Sequence, residues 1–186
     1  MKNIGSKGTG RSLDELKIIV VCVMLGTLMF ISDIFMEFLP NVHIIGVLTV
    51  IYTSVYRSRA LISIYVYAFI NGLVSGFGFW WISYLYIWTI LWGLIMIIPR
   101  RLPEGLRTFL YILIATLHGL SFGILYLPIE SFFVNSDRTY LFAWWIKGFI
   151  TSDILQGLSA CIFGIFMIKP ISKLLVKLNG SLISVK

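Results

Sequence analysis

ALISIYVYAFINGLVSGFGFWWISYLYIWTILWGLIMIIP, residues 60–99, contains no Asp, Glu, Lys or Arg. An α-helix rises about 1.5 Å per residue, so roughly 20 apolar residues cross the ~30 Å hydrocarbon layer of a bilayer. The 40 uninterrupted positions of this stretch therefore read as two spans. Gly76 and Gly78 mark the turn between them. The whole chain agrees: 59% of its 186 residues are hydrophobic and only 12% are charged, against about 25% in an average soluble domain. Mean hydropathy is +0.94. A soluble fold is excluded, and an all-α integral membrane protein is expected in the cell membrane.

Working outward, the apolar runs predict a six-transmembrane-helix bundle. The helices are about Leu16–Leu39, broken by Pro40; a short His43–Tyr56; Ala60–Phe77; Trp80–Ile98; Leu106–Leu127, stopped by Pro128; and Tyr140–Ile168, before Pro170. The second is too short for an upright span, so it is expected to begin below the membrane surface. Residues 1–15 form an N-terminal tail, 16–170 the membrane domain and 171–186 a C-terminal tail. The first apolar run follows Lys and Arg as a signal peptide would, but no small-residue cleavage pattern precedes Asp33, so it reads as a retained span.

Charge fixes the expected orientation. With six spans, Lys2, Lys7, Arg11, Lys17, Arg57, Arg59, Arg100, Arg101, Arg107, Lys169, Lys173, Lys177 and Lys186 all fall on one side. The positive-inside rule makes that side cytoplasmic, with both termini. The net charge of +7 then follows from topology and anionic lipid, with no nucleic-acid partner needed. Three connections lie outside, 37–43, 76–81 and 128–140, and the last reads as a solvated loop carrying Glu130, Asp137 and Arg138. Cys22 and Cys161 fall in apolar runs and read as packing residues, not as a disulfide or metal site. The run from Gly5 to Ser12 has the spacing of a phosphate-binding loop. Such a loop requires a buried strand before it and an α/β domain around it, so a flexible polar tail is the reading taken.

Charges inside a membrane cost on the order of 3 kcal/mol each at a helix centre. Asp33, Lys147 and Asp153 are such charges, with Glu37 at the rim. Asp33 and Glu37 share a helix face and want a cation, a protonated partner or a solvated cavity. Lys147 and Asp153 point in different directions, so each needs a partner on another helix, and Asp33 with Lys147 is one pairing. The neutral polar set comprises Asn71 with Ser75, His118 with Ser121, and Gln156. Neither His43 nor His118 has a metal-ligand companion spacing. Trp80, Tyr84, Trp88 and Trp92 recur at i, i+4 on one helix, flanked by Trp81. Trp80 and Trp81 suit an interfacial belt. Trp88 falls near mid-membrane, where its N–H needs an acceptor or its ring a ligand. Small residues at Cys22 and Gly26, Gly72 and Gly76, and Gly119 and Gly123 form close-packing faces.

The segments GTLMFISDIFMEFLPNVHIIG (26–46), YVYAFINGLVSGFGFWWISYLYIWTILWG (65–93) and HGLSFGILY (118–126) resemble the substrate-binding S components of energy-coupling factor (ECF) vitamin transporters. The resemblance covers about residues 16–170. It implies a non-enzymatic, cofactor-free subunit of an ABC-type importer. Such a subunit captures a vitamin-like molecule from outside. It then topples against a transmembrane coupling subunit that works with two cytoplasmic ATPases. The implied pocket would use Glu37, Asn41, His43, Asn71, Trp80, Trp81, Tyr84, Trp88, His118, Lys147 and Asp153. Docking would use the small face at Cys22 and Gly26, which departs from the family's usual alanines. Two other readings stand beside it: a membrane enzyme with Asp33, Glu37 and His43 as an acid–base set, and a structural membrane partner protein.

Overall fold

The computed structural model describes residues 6–39, 42–134 and 137–183, and the side chains of 13–39, 42–133 and 137–180. The described residues are helical with no strand. The elements are α1 (Ser6–Met36), α2 (Ile45–Tyr56), a 3₁₀ turn (Arg57–Arg59), α3 (Ala60–Ser75), α4 (Phe79–Ile97), α5 (Glu104–Leu120), α6 (Phe122–Val134), α7 (Arg138–Gly148), a π turn (Phe149–Asp153) and α8 (Ile154–Ile183). Five stretches are long and apolar enough to cross a membrane: Leu13–Met36, Ile45–Ser75, Phe79–Ile97, Glu104–Phe133 and Arg138–Gly180. Many large apolar side chains on them face outward, among them Met24, Phe35, Phe69, Ile97, Phe109 and Phe166. Outward apolar surface on every span is what lipid requires.

The helix pair in residues 60–99 forms as expected. Gly76 ends α3 at φ 89°, a left-handed conformation that glycine adopts without steric cost. The chain then returns as α4, which lies antiparallel on α3. Tyr65 and Thr89 share a hydroxyl hydrogen bond of 2.9 Å, and Trp81 Nε1 donates to the Ala68 carbonyl at 2.7 Å.

The Ile45–Ser75 stretch is not one straight rod. Arg57 sits at φ 56°, a strained conformation for a side-chain-bearing residue. It is held there from both sides. Trp92 Nε1 donates to the Arg57 carbonyl at 3.0 Å, and the Arg57 guanidinium donates to the Met96 carbonyl at 2.8 Å. α2 packs on α4, α5 and α8, whereas α3 packs on α1 and α4. With 12 residues, α2 is about 18 Å long, too short for the hydrocarbon layer by itself. Its first turn, at Gly46, faces Trp88 and Leu91, halfway along α4.

Two proline expectations are corrected. Pro128 lies inside α6 and Pro170 inside α8. A proline stop reflects the ring's clash with the preceding turn and its missing N–H. Both prolines here are exposed, and the helices continue through them at the cost of one hydrogen bond each. The solvated loop expected at 128–140 is correspondingly reduced. Helix runs to Val134, and Glu130 is buried. The fifth predicted helix is instead interrupted at Ser121. At the N-terminus, helix begins at Ser6, within the run expected to be a flexible tail.

Arg57, Arg100, Arg107, Lys169 and Lys173 gather at one end. Arg57 reaches the end of α4, Arg107 donates to the Arg100 carbonyl at 2.8 Å, and Lys169 and Lys173 lie 3.5 and 3.0 Å from Glu104. The core between this basic end and the opposite, far end is formed by Cys22, Met29, α2, Ile64, Tyr67, Leu91 and Ile95.

Candidate functional site

Polar residues predicted from sequence converge at the far end, around Asp33. α1 presents Asp33 one turn before its last residue, Met36. Asp33 Oδ2 accepts from the Tyr67 hydroxyl at 2.8 Å and from Asn71 Nδ2 at 3.2 Å, and Oδ1 lies 3.1 Å from His43 Nδ1. One carboxylate thus joins three parts of the chain: α1, α3 and the segment leading into α2. The Asp33 side chain is 16% exposed and Tyr67 is buried. A carboxylate in that position is stabilised by its donors, each charge-assisted hydrogen bond contributing about 1.5–3 kcal/mol. The pairing considered between Asp33 and Lys147 is not formed. Lys147 is exposed on α7, and the partners of Asp33 are those three groups.

Tyr67 connects this cluster to the aromatic column. Its ring lies 6.3 Å from both Tyr84 and Trp88, and Trp80 stands edge-on to Tyr84 at 5.4 Å. Trp88 is buried against His118 and Phe122, with ring centroids 5.8 Å away in each case. His118 Nε2 lies 3.1 Å from the Ile87 carbonyl and so serves as a core hydrogen-bonding residue beneath the column. Trp88 Nε1 is buried with no acceptor among the described residues. Buried donors without partners cost about 1–3 kcal/mol each and call for an explanation.

The other predicted residues separate from this cluster. Glu37 is exposed just past α1, and Asn41 lies outside the described residues. Trp81 turns toward α3 and Phe77, where its N–H is bonded to Ala68. Asp153 is buried in the π turn and accepts from the Gly123 N–H at 3.0 Å. It caps α6 at the break after Ser121, satisfying one of the N–H groups a helix start leaves open. That is a fold-holding role. Cys22 and Gly26 are also placed differently from expectation. The Ser63 hydroxyl donates to the Cys22 carbonyl at 2.7 Å, and a Cβ on Gly26 would stand 2.5 Å from the Ser63 carbonyl oxygen. The small face of α1 is therefore filled by α3 of the same chain and is not open to another subunit.

Sequence reasoning missed Tyr67. Its signal was present, since Tyr67 lies one turn before Asn71 on the same face of α3. Glu130 was missed as a buried residue because Pro128 was read as a helix stop. Among the described residues, no group of three or more His, Cys, Asp or Glu side chains is placed to hold a metal ion. No family model, curated protein or solved structure matches this chain.

Proposed function

We propose that the chain is the substrate-specific binding subunit of an ECF-type importer, taking a small vitamin-like solute at the far, outward-facing end. In this reading α2 and α3 are separate antiparallel passes that reverse at Arg57. The bundle then crosses six times, and the basic end with both termini is cytoplasmic. The observation that carries the proposal is the continuity of Asp33, Tyr67, Tyr84 and Trp88, from a hydrogen-bonded carboxylate to a buried indole N–H with no acceptor among the described residues. Aromatic faces and a few convergent polar groups are the usual lining of a small-molecule site. A ring-bearing solute with a hydrogen-bond acceptor would satisfy Trp88 Nε1. His43 and Asn71 offer polar groups above it. Energy would come from partner ATPases through a coupling subunit, which must dock on a face other than the Cys22–Gly26 stripe.

The test is extraction of the purified protein, followed by mass spectrometry of the released small molecules and a thermal-shift panel of vitamins. A stoichiometric ring-bearing solute, lost in Trp88→Ala with membrane insertion intact, supports the reading. If nothing co-purifies and no panel member shifts stability, the reading fails.

The 3.1 Å contact between His43 Nδ1 and Asp33 favours one alternative, a membrane hydrolase in which Asp33 orients His43 as a general base. Recovery of the solute chemically unchanged after prolonged incubation would count against that alternative.

A further inference from the structure

At the basic end, α2, α5, α8 and the turn before α5 line an open cavity of about 650 Å³. This is within the ~300–1,000 Å³ typical of small-molecule sites and much larger than a bare phosphate requires. Its lining has two zones. Arg100, Arg107, Lys169 and Lys173 supply four cations against one carboxylate, Glu104, a formal surplus of three positive charges. The rest of the lining is neutral polar at Ser54, Thr108, Ser172 and Asn179, and apolar at half-buried Val55 and exposed Val176, backed by Tyr111 and Ile168. Tyr111 and Ile168 are buried in the core.

Glu104 does not neutralise the cluster. Its bonds to Lys169 and Lys173 are between side chains that are 47%, 55% and 62% exposed. Exposed pairs of this kind contribute about 0–1 kcal/mol, so both lysines are free to turn toward a stronger anion. Arg107 is different. Its guanidinium is anchored by one nitrogen to the Arg100 carbonyl at 2.8 Å, which fixes the direction of the fork before any anion arrives. A planar, pre-oriented fork is suited to two phosphate oxygens. The cavity is at the end of the apolar helices, where a bilayer places its headgroups.

We infer that this cavity is a binding site for the phosphate of an anionic phospholipid. The headgroup is held by Arg100, Arg107, Lys169 and Lys173, and the glycerol and first acyl methylenes lie against Val55 and Val176. The apolar wall selects lipid over a free phosphate compound, because a soluble anion would leave that surface uncovered. The site is independent of the substrate proposed for the far end.

The experiment compares the full chain in phosphatidylcholine nanodiscs with and without phosphatidylglycerol, by thermal stability and by native mass spectrometry of retained lipid. Phosphatidylglycerol is expected to raise stability and to be retained as a discrete adduct. A direct hydrogen bond to a charged group is worth about tenfold or more in affinity, so Arg100→Gln with Arg107→Gln should weaken retention about a hundredfold or more. Glu104→Gln removes the competing carboxylate and should strengthen retention about fivefold. Arg59→Gln with Arg101→Gln removes the same charge from exposed positions outside the cavity and should leave retention unchanged. Three results overturn the inference. One is equal loss in the Arg59/Arg101 variant, which would indicate general surface attraction. Another is weaker retention in Glu104→Gln. The third is displacement of the lipid by equimolar inorganic phosphate or glycerol phosphate, which would assign the cavity to a soluble anion.

Discussion

Replacing Asp33 by Ala tests whether one carboxylate ties α1, α3 and the segment before α2 together. The substitution removes the acceptor for the Tyr67 hydroxyl at 2.8 Å and Asn71 Nδ2 at 3.2 Å, and the contact with His43 at 3.1 Å. Hydrogen bonds to a charged group contribute about 1.5–3 kcal/mol, and a buried donor left unpaired costs about 1–3 kcal/mol. Tyr67 is 1% exposed, so water cannot replace the lost acceptor. Asn71 Nδ2 still donates to the Tyr67 oxygen at 3.5 Å, which lowers the cost at Asn71 but leaves the Tyr67 O–H without an acceptor. His43 is 38% exposed in its side chain and is rehydrated at little cost. The expected loss is about 3–5 kcal/mol for Asp33→Ala. Asp33→Asn keeps an oxygen for Tyr67 and should lose about 1–2 kcal/mol. Glu37→Ala, at an exposed position one turn away, should stay within about 0.5 kcal/mol. The assay is denaturant unfolding in detergent followed by tryptophan fluorescence, with a double-mutant cycle against Tyr67→Phe. A coupling of about 1–3 kcal/mol is expected for groups in direct contact. If Asp33→Ala is no more damaging than Glu37→Ala, or the cycle shows no coupling, the cluster does not hold these elements together.

Three further outcomes follow from the same structure. Gly26→Ile drives a branched side chain into the Ser63 carbonyl and Val66, and overpacking of this kind should cost at least about 1–3 kcal/mol by thermal melting; unchanged stability would mean α1 and α3 are not in close contact. Asp153→Ala uncaps Gly123 and should cost about 1–3 kcal/mol, whereas Lys147→Ala should be near neutral in the same assay. Trp88→Phe keeps the ring contacts but removes an N–H that has no acceptor among the described residues. Stability without ligand should therefore move by no more than about 1 kcal/mol, while affinity for a co-purifying solute drops roughly tenfold in a titration, about 1.4 kcal/mol.

The sequence made some of this legible, and the reasons are local. Residues 60–99 have no charge, and their glycine turn needs nothing beyond the chain itself, so α3 and α4 appear nearly where expected. Pro128 and Pro170 misled because the stop rule reflects a ring clash and one missing N–H, and these helices continue through both residues at that cost. Helical spacing placed Asn71 on a polar face and Trp88 deep in its helix. It could not say that Asp33 meets His43, Tyr67 and Asn71, because a period reports which face a residue occupies and not which helix lies against it. The same limit explains Cys22 and Gly26. A small-residue face predicts a close neighbour, and the neighbour is α3 of this chain.

The short second helix explains why the polar cluster is located at the far end. α2 begins beside Trp88 and Leu91 and ends at Arg57, which is bonded to Trp92 and Met96. It therefore accompanies only the half of α4 nearest the basic end. The far half of α4 packs on α6 instead, through Tyr86 on the Leu125 carbonyl and Phe79 stacked on Phe133. The segment carrying His43 leads into α2 near Asp33, and non-helical backbone within a membrane needs polar partners or water. Asp33, held by Tyr67 and Asn71 from α3, is the group that anchors the segment through His43. A full-length second helix would bury that region with apolar side chains and leave no reason for a carboxylate. The length of α2 and the charge at Asp33 are therefore one structural feature, and lengthening the helix by a turn ahead of Ile44 should expel His43 from Asp33.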